Sequence, residues 1–232
     1  SDGRGVLVDR LQRIVGGAPL IGAAEVSEQD KAIHPSASFV SAAQRDRAQG
    51  HRGAVFWLTG LSGAGKSTVA RGAETQLFNQ GVHVSVLDGD TLRAGLCKDL
   101  GFSEADRTEN VRRAAEVARI LRDSGQVVLV ALISPLRSDR DLARQIIGDG
   151  FEEVFVDADL AVCEERDPKG LYAAARQGKI ANFTGIDAPY EAPVAPALHL
   201  KTSVNNVDTA IEALSEFIKQ QVSLATAARK QS

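Results

Sequence analysis

The sequence predicts an α/β protein built on a doubly wound, parallel, five-stranded sheet with flanking helices and a lid segment. Three observations predict it. Short apolar runs alternate with helix-compatible stretches between residues 54 and 222, the order of successive strand–helix–strand units. The first apolar run passes directly into a glycine-rich loop at 60–68 and then into a helix-forming stretch, which together make an anion cradle. Acidic and hydroxyl side chains follow the ends of several runs, where sheets of this kind place their ligands.

Each element has its own signal. Residues 1–52 read as an N-terminal extension or linker. Residues 5–11 are strand-compatible, but Gly16, Gly17 and Pro19 break the segment, and Arg45, Arg47, His51 and Arg52 form a basic lead-in. A domain of residues 53–222 follows, with a tail at 223–232. Its first strand is the apolar run 54–59, and residues 69–80 are helical. Residues 82–87 alternate as a strand ending in Asp88, Gly89 and Asp90. Ser103 with Asp106 has capping-box form and opens a helix running to Ser124, stopped by Gly125. The most apolar run, 127–133, is expected to be the central buried strand. A helix at 136–147, a strand at 153–156 and a helical stretch at 159–178, broken near Asp167 and Pro168, come next. Residues 179–196 are rich in Gly and Pro and read as a loop. A last strand at 197–200 and a helix at 207–222 close the domain.

Composition limits the function. A chain of 232 residues, 44% hydrophobic, can bury one substantial core. A net charge of −3 gives no support for a nucleic-acid surface, so an anionic ligand must be held by a local basic cluster. Cys97 and Cys163 lie far apart without a C-x-x-C spacing and read as free thiols. No run approaches the roughly 20 apolar residues of a membrane span, and no signal-peptide pattern opens the chain. A cytoplasmic protein without nucleic-acid or membrane partners is expected. The start at Ser1 is read as that of a processed or excised piece.

Gly60, Leu61, Ser62, Gly63, Ala64, Gly65, Lys66, Ser67 and Thr68 satisfy G-x-x-x-x-G-K-[ST], the loop of P-loop NTPase-type folds. Glycines let successive backbone N–H groups curl around phosphate oxygens where a Cβ would clash. Lys66 can reach the β- and γ-phosphates of a bound nucleotide, and the Ser67 hydroxyl can ligate Mg²⁺. Asp88 and Asp90 suit a second metal ligand and an acid that orients the attacking hydroxyl. Arg93, with Arg107 and Asn110 on one helix face and Arg112 and Arg113 one turn on, suggests an anionic acceptor, because guanidinium groups bind phosphate and sulfate bidentately. Ser134 closes a strand, where its hydroxyl faces substrate. The segments around Lys169 and Phe183 read as a lid.

These motifs, in this order, resemble the adenylyl-sulfate kinase family of sulfate assimilation. The matching residues are the loop 60–68; Leu87 to Asp90 with Arg93, Gly95 and Leu96; Asp99 to Ser103 with Asp106, Arg107 and residues 109–113. Further matches are Ile133, Ser134 and Pro135 with Arg137; residues 166–172; and residues 182–187 with Pro189, Tyr190 and Glu191. The resemblance implies transfer of the ATP γ-phosphate to the 3′-hydroxyl of adenylyl sulfate (adenosine 5′-phosphosulfate), giving 3′-phosphoadenylyl sulfate. It implies that Asp90, Arg93, Phe102, Arg107, Asn110, Ile133, Ser134, Lys169, Leu171 and Phe183 hold the acceptor, with Phe102 and Phe183 sandwiching its adenine, and that Arg166 serves ATP. Ser134 matches a phosphoserine position, although direct in-line attack with Lys66, Mg²⁺ and the arginines is physically sufficient.

The chain departs from the family pattern at Thr91, Ala94, Cys97, Leu136, Ala173 and Ala174, which bears on the lid's charge. The resemblance also implies a homodimer. Residues 5–11 with 15–18 resemble the last strand of a sulfate adenylyltransferase subunit, which suggests fusion to or association with that enzyme. The alternative is a catalytically silent sensor of 3′-phosphoadenylyl sulfate; the presence of Lys66, Ser67, Asp88 and Asp90 argues against it. A kinase of another small alcohol, such as a nucleoside monophosphate, is disfavoured by the pairing of Arg107 with Asn110 and by residues 183–187.

Overall fold

The structure, a computed structural model, describes residues 38–224, and the compact unit begins at Val40. The expectations for residues 5–11, 15–18 and 225–232 lie outside the described residues. Five parallel strands form one sheet in the order β2-β3-β1-β4-β5. They are β1 Ala54–Thr59, β2 Val84–Asp88, β3 Val127–Ala131, β4 Phe151–Asp157 and β5 Leu198–Lys201. Among the described residues the helices are α1 Ala42–Gln49, α2 Lys66–Asn79, α3 Gly89–Ala94, α4 Glu104–Asp123, α5 Arg137–Ile147, α6 Leu160–Arg166, α7 Leu171–Arg176 and α8 Val207–Val222.

The apolar runs are continuous because both sheet faces are covered. In β1, Phe56 and Leu58 pack with Val69, Ala73 and Leu77 of α2 and Ile211, Leu214 and Ile218 of α8. Val55 and Trp57, pointing the other way, pack with Val111, Ala114 and Ala118 of α4 and Ala143 and Ile147 of α5. The strand expected at the centre, β3, is interior, but the middle strand is β1, flanked by β3 and β4. Both strands are completely buried, so apolarity alone does not rank them.

Two boundaries move for identifiable reasons. β2 starts at Val84 because Gly81, at φ +82°, turns the chain and Val82 N donates to Leu77 O. His83 N then donates to the His51 ring at 3.0 Å rather than to a neighbouring strand. β3 stops at Ala131 because the Ile133 carbonyl accepts the Thr59 hydroxyl at 2.7 Å and Ser134 turns to φ +38°.

The part of the predicted linker nearest the domain is structured. Ser41 and Gln44 form a reciprocal capping box on α1. Arg52 donates from its backbone to Val222 O and from its side chain to Gln221 O, fastening this segment to α8. The break expected at Asp167 and Pro168 separates α6 from α7, and the Asp167 carboxylate accepts the N–H groups of Tyr172 and Ala173 at 3.1 Å. Cys97 and Cys163 are buried free thiols. Among the described residues, no helix is long and apolar enough to cross a membrane.

Candidate active site

The loop between β1 and α2 has no room for side chains at two glycines. A Cβ on Gly60 would stand 2.2 Å from Val156 O, and one on Gly63 would stand 2.9 Å from Cys163 O. Gly65 takes φ +96° and starts α2, leaving the helix N-terminus open to an anion. The loop's own carbonyls are held from outside. Thr202 Oγ1 donates to Ala64 O at 2.8 Å, Tyr172 Oη to Ser62 O at 2.8 Å, and Arg166 Nη1 to Gly63 O at 3.4 Å. Arg166 Nη2 also donates to Thr202 O. Thr202 was not singled out from the sequence; its position just past the last strand, at the sheet's ligand-binding edge, was the available signal.

Lys66 is folded onto the loop, donating to Gly60 O at 2.9 Å and Leu61 O at 2.7 Å. Burial lowers its pKa to about 8, against the partial support of nearby negative groups including Asp88. The ammonium is thus a desolvated cation held by neutral carbonyls.

Asp88 ends β2 beside this loop, its Oδ1 accepting Asp90 N at 3.0 Å and capping α3. Its Oδ2 is buried and has no hydrogen-bond partner. Asp90 is paired with Lys169 of the lid segment.

The arginines divide into two groups. Arg112 and Arg113 are spent on Glu109, and Arg113 also on Asp99 at 2.7 Å. These ion pairs hold Glu109 at about 2, chiefly through the Arg112 bond, and Asp99 below the usual carboxylate range. Those two arginines were expected in the acceptor cluster; the structure gives them to structural carboxylates instead. Arg93 and Arg107 differ. Arg93 donates to Gly101 O at 2.9 Å and lies over the Phe102 ring at 4.3 Å. Arg107 donates to Phe102 O at 3.0 Å, Thr184 Oγ1 at 2.7 Å and Asn182 O. Neither has a salt bridge among the described residues. Burial, with Arg93 nearby, pushes the Arg107 pKa below the ordinary arginine value.

Asn110 is buried on the same helix, its Oδ1 unpartnered. Phe102 is exposed, whereas Phe183 is buried with its ring edge-on to Tyr172 at 5.0 Å. Leu171 packs against the core.

Ser134 is placed differently from the sequence expectation. Its hydroxyl does not face outward but accepts the Trp57 indole N–H at 3.0 Å, and the residue is 4% exposed. Its backbone takes φ +38°, and Arg140 Nη1 donates to its carbonyl at 2.7 Å.

A glycine cradle at a helix N-terminus, a buried lysine, strand-end acids and a lid on a parallel sheet define a P-loop kinase. The comparisons narrow the class. The adenylylsulphate kinase family model matches residues 52–201. An adenylyl-sulfate kinase of Enterobacter sp. (strain 638) is 59% identical over 162 residues, 69% of this chain and 81% of that protein. The bifunctional enzyme NodQ of Rhizobium sp. (strain N33) is 46% identical over 222 residues, 95% of this chain but 34% of that enzyme. A solved structure of the Mycobacterium tuberculosis APS kinase CysC in complex with AMPPNP and APS superposes with a TM-score of 0.70 at 50% identity, covering 72% of this chain and 98% of that one. The chain belongs to the adenylyl-sulfate kinase family.

Proposed function

We propose that the protein transfers the γ-phosphate of ATP to the 3′-hydroxyl of adenosine 5′-phosphosulfate, forming 3′-phosphoadenylyl sulfate. The observation that carries this reading is the pair Arg93 and Arg107, two guanidinium groups bonded only to neutral oxygens. Such a hollow retains positive charge for an anionic acceptor. The 60–68 backbone holds the triphosphate, Lys66 stabilises charge on the moving phosphoryl group, and Arg166 braces the cradle. Asp90 orients the acceptor hydroxyl once Lys169 turns to substrate. Phe102 offers the adenine a ring face, with Phe183, Asn110, Ile133 and Leu171 lining the acceptor hollow.

Mg²⁺ fits the residues present. Among the described residues no group of three or more His, Cys, Asp or Glu forms a metal cage, but Mg²⁺ needs only one or two protein oxygens beside substrate phosphates and water. Ser67 and the orphan Oδ2 of Asp88 supply them. Held by these two residues, Mg²⁺ would supply positive charge against the negative charge that builds on the transferring phosphoryl group. We read the protein as a homodimer and as the kinase portion of a longer enzyme. The fusion reading is supported by the match to bifunctional NodQ, whose 95% coverage reaches into residues 1–52.

An ADP-release assay with Mg²⁺ and adenylyl sulfate, against AMP as acceptor, tests the activity; turnover with AMP alone would refute it. In the same assay, Arg107→Ala is expected to raise KM for adenylyl sulfate about 10- to 100-fold, the value of a charge-assisted hydrogen bond. KM for ATP stays within about twofold. Equal rises in both would remove Arg107 from the acceptor site.

Ser134 acts as a positioning residue rather than a phosphate carrier. Ser134→Ala is expected to destabilise the fold by about 1–3 kcal/mol, because the buried Trp57 N–H loses its acceptor. Turnover stays within about tenfold of wild type. A folded variant with no turnover would restore a covalent role.

A further inference from the structure

The orphan oxygen of Asp88 has one charged side chain within salt-bridge reach among the described residues, and it comes from an unexpected place. Arg71 Nη2 lies 3.9 Å from Asp88 Oδ2, with the arginine side chain 63% exposed and the aspartate 6%. Arg71 sits on α2 four residues beyond Ser67, on the same helix face. It therefore approaches from the side on which Ser67 and Asp88 meet the proposed metal. The contact is too long for a hydrogen bond, so the carboxylate oxygen is attracted but not latched. Lys66 also contributes positive potential at Asp88, but its ammonium is engaged by the Gly60 and Leu61 carbonyls.

We propose that Arg71 is a positioning residue that stands in for the divalent cation at Asp88 and competes with it for entry. With no metal present, the guanidinium compensates a carboxylate that is closed to water and would otherwise be an isolated buried charge. When the cation arrives with the nucleotide, Arg71 swings out, which its exposure permits. The enzyme then needs more free Mg²⁺ than its oxygen donors alone would require. This inference rests on the assignment of Asp88 to the metal.

The test is titration of Mn²⁺ into protein saturated with a non-hydrolysable ATP analogue, read by water-proton relaxation and independent of turnover. Arg71→Ala and Arg71→Gln are each expected to bind Mn²⁺ about twofold to fivefold more tightly, the size of a partly exposed ion pair. Arg71→Lys, which keeps the charge, stays near wild type. Asp88→Asn weakens binding at least about tenfold, since it removes an anionic ligand. Arg71→Ala and Arg71→Gln binding no more tightly than wild type, with Asp88→Asn impaired, would overturn the role of Arg71 alone. An unimpaired Asp88→Asn would instead remove the metal from Asp88. Melting curves confirm that each variant is folded; the Arg71 variants, altering an exposed side chain, should melt with wild type.

Discussion

Lys66→Met is expected to lower turnover by about 10²- to 10³-fold, the scale of a lost preorganised charge contact in a transition state, while making the unliganded fold more stable. The two effects share one cause. Burial lowers the Lys66 pKa from 10.5 to about 8. At about 1.4 kcal/mol per pKa unit, carrying this ammonium costs the folded state roughly 3 kcal/mol at neutral pH. Methionine fills the same stem volume without the charge, although two loop carbonyls then lose a donor, which reduces the net gain to about 1–2 kcal/mol.

The pH dependence distinguishes this from a packing effect. Between about pH 8 and 10.5 the unfolded wild-type chain still holds the lysine proton that the folded chain has released. Stability from this group therefore rises with pH across that window. The rise should be present in wild type and absent in Lys66→Met. Binding of ATP works in the opposite sense: the polyphosphate favours the charged lysine, so affinity falls as pH climbs above about 8. Urea melts at pH 7, 8 and 10 with and without an ATP analogue measure both trends. A Lys66→Met protein less stable than wild type at pH 7, or one that retains turnover, would refute the assignment of Lys66 as a strained phosphate ligand.

What was legible in the sequence follows physical rules. Strands buried on both faces announce themselves as apolar runs, which is why β1 and β3 were found. The glycine loop was legible because a Cβ is sterically impossible at Gly60 and Gly63. Helix α1 was not found because none of its residues is buried, so no apolar periodicity exists; the Ser41 and Gln44 capping pair was its one trace. Helix α3, of six residues, is too short for a period to register.

At the site, residue types were legible and directions were not. Arg93, Arg107, Arg112 and Arg113 look alike in one dimension. Only the fold shows that Asp99 and Glu109 neutralise the last two and leave the first two bonded to neutral oxygens. Ser134, expected to close a strand, lies instead in the turn after β3, at φ +38° and with its hydroxyl accepting the indole N–H of Trp57, 77 residues away.

Arg140→Leu is expected to destabilise the protein by about 3–5 kcal/mol, the cost of stranding one member of a buried ion pair. Arg140 is among the largest fully buried side chains, at 1% exposure. Its Nε donates to Glu153 Oε1 at 2.6 Å, its Nη1 to Ser134 O at 2.7 Å and its Nη2 to Glu191 O at 2.6 Å. One guanidinium thus joins β4, the turn after β3 and the segment following the lid. Tyr190, next to Glu191, reaches Thr59 at the end of β1 with its hydroxyl, and burial pushes that phenol up to about 12.

Removing Arg140 leaves Glu153 with only the half-exposed Arg144 at 3.2 Å and strips two carbonyls of a donor. Arg140→Leu with Glu153→Leu should recover much of the loss, because the uncompensated carboxylate goes with its partner. If the ion pair is the reason for the loss, the single variant melts far below the double in urea. If the two melt together, the stabilisation lies in the carbonyl bonds to residues 134 and 191 instead. A loss under about 1 kcal/mol in the single variant would mean that this network contributes no more than an exposed surface pair.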